Sequence, residues 1–172
     1  KEHPDAFVAC ASIHPYRRDA VEALESAVRA GAVGIKWLPN AMRIDPSSPR
    51  CDPFFQAMAK LGIPLLTHAG EEKAVEAEEW QRAGNPLHLR RALEWGVKVV
   101  VAHCASLGEN PDLDAKGPLD SRPWVNNFDL FLRLMEEPRY QGKLFGDTSA
   151  LTQVNRLGRP LQTVLRRSDL QE

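Results

Sequence analysis

A chain of 172 residues is long enough for one ordinary domain with a real core. Its 22 basic and 23 acidic residues nearly cancel, which argues against a nucleic-acid partner or an anionic membrane surface. No apolar run is long enough to cross a bilayer, and Cys10, Cys51 and Cys104 fit neither a disulfide framework nor a zinc ribbon, so a reducing, cytoplasmic setting is expected.

The opening "KEHPDAF" lacks the apolar region of a signal peptide. "AFVACASI" (6–13) reads as a first buried strand, and "DAVEALESAVRAG" (19–31) as a helix capped by Asp19 and stopped at Gly31. A second strand, "AVGIKWL" (32–38), is followed by a helix over 52–62 with Pro53 at its first position and Gly62 at its end. "IPLLTH" (63–68) is the third strand, and the period predicts a helix at about 72–83. "NPLHLRRALEWG" (85–96) repeats the helix device, with Asn85 as cap, Pro86 as start and Gly96 as stop. "VKVVVAH" (97–103), a helix over 126–137, "KLFGDTSA" (143–150) and a last helix over 159–170 complete the series.

Strict alternation of apolar strands and helices implies an α/β fold with about five parallel strands in one domain, residues 1–172. Helix-to-strand turns are terse, whereas the strand-to-helix segments 39–51 and 104–126 are long. In (β/α)8 barrels the site is built from strand-to-helix loops, and a full barrel needs roughly 250 residues. A partial (TIM) barrel, incomplete at both ends, is therefore expected. An open doubly wound sheet is the alternative, but "SIHPYRRD" is no Gly-rich phosphate loop.

The strands end in His14, Lys36, His68, His103 and Asp147, so five polar, ligand-capable side chains are expected to converge on one rim. His68 and His103 hold matched positions and read as metal ligands or acid/base groups. His14 precedes Pro15 and reads either as a turn residue or as a substrate contact. Lys36 is costly to bury unpaired; it reads as a snorkelling lysine, a positioned cation or a lysine modified to bind metal. Asp147 reads as a turn cap or a catalytic carboxylate. Glu71 is an acid/base candidate, while Glu72 reads as solvated charge and Cys104 as a packing residue. Arg43, Trp124, Asn126 and Asn127 lie on long loops within reach of a substrate, Arg43 being the arginine nominated for a substrate carboxylate.

In this order, "VGIKWLP", "PLLTHAGEE" and "VVVAHCAS" resemble the fourth, fifth and sixth strands of an amidohydrolase-superfamily barrel, and more narrowly its metal-dependent hydrolases and decarboxylases. The resemblance runs from "ASIHP" as third strand to "LFGDTSA" as seventh. It implies that His68 ligates a divalent metal, zinc first, in a site of one or two ions. His103 becomes a second ligand or the base orienting a water, and Lys36 matches the lysine that two-metal members carboxylate. The His-x-His of the first strand and the Asp of the eighth are absent from the sequence. The function implied is metal-dependent hydrolysis of C–N, C–O or related bonds in a small molecule. A non-oxidative decarboxylase and a non-catalytic binding module are the alternatives, and a homo-oligomer stays open.

Overall fold

The computed structural model describes residues 3, 5–74, 76–156 and 158–171. Five strands, β1 (Ala9–Ala11), β2 (Ala32–Trp37), β3 (Leu65–His68), β4 (Val99–Ala102) and β7 (Leu144–Gly146), form one sheet in the order β1-β2-β3-β4-β7. Every pairing in it is parallel. A doubly wound sheet would reverse its order at a switch point. This sheet never does, so the barrel reading holds. The strands are shorter than their apolar runs, because chain flanking each pairing register leaves the ladder.

Alternation along each strand gives the sheet two unlike faces. Ile35, Trp37, Leu65, Val99, Val101 and Leu144 are buried among residues of α1 (Ala20–Arg29), α3 (Asp52–Leu61) and α5 (Asn127–Met135), including Leu24, Phe54, Phe55 and Leu130. Trp37 anchors this layer. Its ring lies 5.7 Å from Phe54 and 5.6 Å from Phe55, and its Nε1 donates to the Ile13 carbonyl at 2.8 Å. Fully burying each such side chain contributes about 1.5–3 kcal/mol. On the other face, register aligns Lys36, Leu66, Val100 and Phe145 in one row, and all four are partly or largely exposed.

Gly62 and Gly96 end their helices at φ of 66° and 84°, as a left-handed stop requires. Asp19, by contrast, does not cap α1; its carboxylate is held by Arg17 at 2.9 and 2.6 Å. Pro53 takes the second position of α3 rather than the first. Chain between β2 and α3 includes one turn of helix, α2 (Pro39–Met42).

The helix predicted at 72–83 is replaced by an irregular stretch and a 3-10 segment, Glu78–Gly84; Val75 lies outside the described residues. Side chains explain the difference. Glu72 Oε1 accepts from the Ala74 N–H at 2.6 Å, while Gln81 bonds both the N–H and the carbonyl of Glu72, at 2.9 and 2.8 Å. These local partners satisfy the backbone in place of helical bonds. The helix predicted at 85–96 splits into a 3-10 turn, Pro86–Leu89, and α4 (Arg90–Glu94), with Asn85 capping as expected through the Leu87 N–H at 3.0 Å. Within the long segment after β4, β5 (Glu109–Pro111) and β6 (Trp124–Asn126) pair antiparallel. The predicted last helix ends at Arg166 as α6 (Arg159–Arg166), before a 3-10 turn at Ser168–Leu170.

Candidate active site

Register places His68 opposite Ala102, one pleat beyond the row containing Lys36, and therefore on the same open face. His68 is 4% exposed. Its Nε2 lies 3.3 Å from the Glu71 carbonyl and 3.8 Å from Glu72 Oε2. A carbonyl only accepts, so Nε2 carries the proton and Nδ1 keeps its lone pair. Burial pulls the His68 imidazole below its ordinary range, against an upward pull from Glu72. The neutral ring is therefore favoured.

His103 stands across from it, with ring centroids 6.0 Å apart. Its backbone is left-handed, φ 56°, and the two residues that follow, Cys104 and Ala105, share that sign at 50° and 51°. Non-glycine residues pay about 1–2 kcal/mol each for such a conformation. What holds the turn in place is visible. Cys104 and Ala105 are buried in the helix-side core, the Cys104 thiol reaches the Asp147 carbonyl at 3.4 Å, and the Ser106 N–H donates to the His103 carbonyl at 3.0 Å.

His103 Nδ1 donates to the Ser149 carbonyl at 3.1 Å, which leaves Nε2 with the free lone pair. Ser149 Oγ lies 3.0 Å from the same nitrogen and donates in turn to Asp147. Burial alone would raise the Asp147 carboxyl, but hydrogen bonds from Ser149 and from the His103 N–H hold it below its usual value. Lys36 is partly buried on this face, and no hydrogen bond or ion pair reaches its ammonium among the described residues. Desolvation lowers its ammonium, opposed by the charges of Asp147 and Glu72. Four of the five strand-end groups thus gather as expected.

His14, the fifth, is engaged locally: Nε2 meets the Met42 carbonyl at 2.9 Å, and Nδ1 accepts from the Tyr16 N–H at 3.2 Å. Arg43 is exposed, in a left-handed position after α2, and lines a separate cavity of about 460 Å³ with Asn40, Glu78 and Trp80. The glutamates exchange the surroundings read from sequence. Glu72 is 8% exposed and faces His68, while the Glu71 carboxylate turns to Lys73 at 3.2 Å and its backbone carbonyl meets His68. Asn127 is fully buried and bonded to Asn110, Asn126 caps α5, and Trp124 is exposed.

A missed residue is Arg156, between β7 and α6, partly buried and bound through Nη1 to Ser106 Oγ at 2.8 Å. Its place on a strand-to-helix loop was the available signal. Among the described residues, no three His, Cys, Asp or Glu side chains gather to hold a metal ion. The chemistry of His68, a neutral ring with a carboxylate behind it, fits one ligand of such an ion; the remainder of a ligand set is not among these residues.

Five parallel strands in sequential order, with helices packed on one face and polar groups gathered at the strand ends, define a segment of a (β/α)8 barrel. A profile of the amidohydrolase family matches residues 1–130, and the chain belongs to that family. No curated protein matches it. Among solved structures it is similar to a 2,6-dihydroxybenzoate decarboxylase complexed with 2,6-dihydroxybenzoate (16% identity, TM-score 0.55, 95% of this chain and 57% of that one). The same enzyme from Rhizobium aligns at 16% identity and TM-score 0.54, over 95% of this chain and 58% of that one. A protein of Pseudomonas putida described as a 2-pyrone-4,6-dicarboxylic acid hydrolase aligns at 15% identity and TM-score 0.50, over 92% and 46%. The chain spans about half the length of these solved relatives.

Proposed function

We infer that the chain carries the central part of a metal-dependent hydrolase that cleaves C–N, C–O or related bonds of a small molecule. The observation that carries this reading is the pair His68 and His103, 6.0 Å apart at the strand ends of an amidohydrolase-family fold. His68 would be one ligand of a divalent ion, zinc first, with Lys36 a positioned cation beside it; when bound, the ion lowers the pKa of its water to about 7 and polarises a carbonyl.

The chain's own residues supply the rest. His103 presents the Nε2 lone pair to take a proton, while Ser149, itself bonded to Asp147, fixes its tautomer. Glu72 balances charge behind His68. The apolar row of Leu66, Val100 and Phe145, level with Lys36 on the open face, supports a carbon-rich substrate.

Loss of carbon dioxide is a second reading, favoured by a partly buried guanidinium beside the His103 turn, that of Arg156. The test is zinc stoichiometry after dialysis, for the native chain and for His68→Ala, followed by assay of cyclic carboxylic esters and amides. Released acid identifies hydrolysis, and released gas identifies decarboxylation. Equal zinc in the native chain and His68→Ala would remove the ligand role, and with it the reading.

A further inference from the structure

Between the His103 turn and the start of α6 lies a cavity of about 120 Å³, lined by Ser106, Asn126, Phe128, Asn155, Arg156 and Arg159. Its charge is uneven. Arg159 is already neutralised by Asp129, to which it donates at 2.6 Å. Arg156 has no carboxylate partner among the described residues; Glu72 acts on it electrostatically but pairs with His68 instead. Burial opposes its charge more than Glu72 favours it. The contrast with Arg90 is direct, because that partly buried guanidinium is held by both Asp114 and Glu137.

The unused atoms have a recognisable geometry. Nη1 is spent on Ser106 Oγ, whereas Nε is buried without a partner and Nη2 bonds no described residue. Nε and Nη2 together form the edge with which Arg17, Arg91 and Arg167 each grip a carboxylate in this same molecule: 2.9 and 2.6 Å, 2.6 and 2.7 Å, 3.2 and 2.6 Å respectively. An orphaned buried N–H carries an unrelieved desolvation cost of about 1–3 kcal/mol, more on a charged group.

We propose that this cavity is a carboxylate subsite, in which the Nε–Nη2 edge of Arg156 grips the acid group of the substrate. One net positive charge suits a monoanion. Nε is closed to water, so the grip requires the guanidinium to swing toward the cavity about its Nη1 bond to Ser106. Ser106 joins this subsite to the chemistry: its Oγ fixes Arg156, and its N–H holds the His103 carbonyl. A ligand gripped there lies beside the turn that carries His103. The proposal rests on the hydrolase reading only in calling the anion part of the substrate.

The test observes the arginine itself and needs neither metal nor turnover. The Arg156 Nε–H resonance of the 15N-labelled chain is assigned by its loss in Arg156→Lys. It is then titrated with benzoate, benzamide and inorganic phosphate at constant ionic strength. A saturable shift with benzoate, absent with the uncharged amide, is the expected result. Arg156→Lys should weaken benzoate by about tenfold or more, measured by calorimetry, since a lysine cannot form the two-pronged grip. Ser106→Ala should weaken it by a smaller factor, with the fold intact by chemical-shift dispersion. No response to benzoate, an equal response to benzamide, or saturation by phosphate alone would each overturn the subsite. If benzoate binds as stated while zinc is unaffected by His68→Ala, the subsite stands and the hydrolase reading falls; the converse separates them equally.

Discussion

Adding one methyl group at Gly84 should disturb both stability and the site. The Gly84 carbonyl accepts from the Gly70 N–H at 2.7 Å, which ties the end of the 3-10 segment to the loop directly after His68. A Cβ at Gly84 would fall 2.2 Å from the Gly70 oxygen and 2.7 Å from Asn40 Nδ2. Relief needs roughly 1 Å of backbone displacement, given ordinary contact distances. Overpacking of this kind costs about 1–3 kcal/mol, offset by about 0.4–1 kcal/mol from a less flexible unfolded chain. Gly84→Ala should therefore lose about 1–2 kcal/mol, a fall in melting temperature of roughly 2–8 °C for a chain of this length. Because Gly70 precedes the Glu71 carbonyl that meets His68, the His68 ring resonances should move as well. Gly62→Ala is the control: at φ 66° with nothing within 4 Å, it suffers conformational strain only and leaves the His68 signals in place. Urea unfolding followed by circular dichroism, with imidazole NMR, decides the matter. A Gly84→Ala chain of native stability and unshifted His68 signals would refute the reasoning.

Three further outcomes are expected. Burial holds the His88 imidazole below its ordinary 6.5, with Asp45 and the Ala83 carbonyl pulling the other way. The unfolded chain thus binds more protons there, so this contribution to stability is complete above 6.5 and is lost as pH falls through 6.5 toward the folded value. His88→Asn should flatten the urea midpoint between pH 7 and 5, leaving the smaller slope contributed by His68; an unaltered slope would clear His88 of the role. Lys36→Met should raise stability by roughly 0.5–2 kcal/mol, the range typical of relieving a functional group held against its preference, while abolishing activity; a destabilised variant, by the same unfolding curves, would mean that Lys36 has a stabilising partner. Burial pushes the Cys51 thiol up to about 12 and the Cys104 thiol to about 11, whereas Cys10 is exposed. A thiol reagent at pH 8 should therefore titrate one cysteine in the native chain and three in denaturant, and fast reaction of a second would contradict the burial.

The strands and the strand-end groups were legible because both depend on short-range pattern. Apolar runs such as "VKVVV" can sit only in a buried ladder, and a polar residue closing each run must emerge at its end. What escaped depends on contacts distant in sequence. The segment at 72–83 has helical period, yet Gln81 ties down Glu72 and Gly84 presses on Gly70, and neither bond is visible in a window of neighbours. The β5–β6 pair includes Pro111 and lacks alternation, so nothing local marks it. Glu71 and Glu72 are alike by type; only the direction of the loop decides which carboxylate faces His68. Arg156 was hidden for the same reason, its partner Ser106 lying 50 residues away.

The turn at His103, Cys104 and Ala105 has a consequence of handedness. Three consecutive positive φ values make it one mirror-image helical turn built from L-residues. Its strain therefore belongs to the chirality of the monomers rather than to the path of the backbone. A semisynthetic chain with D-alanine at position 105 would follow the same path inside its favoured region, and should gain about 1–2 kcal/mol where an L-residue is strained. Glycine there would relieve the same strain but free the unfolded chain as well. The site thus holds its histidine on a run of three residues where the opposite enantiomer would be the better building block.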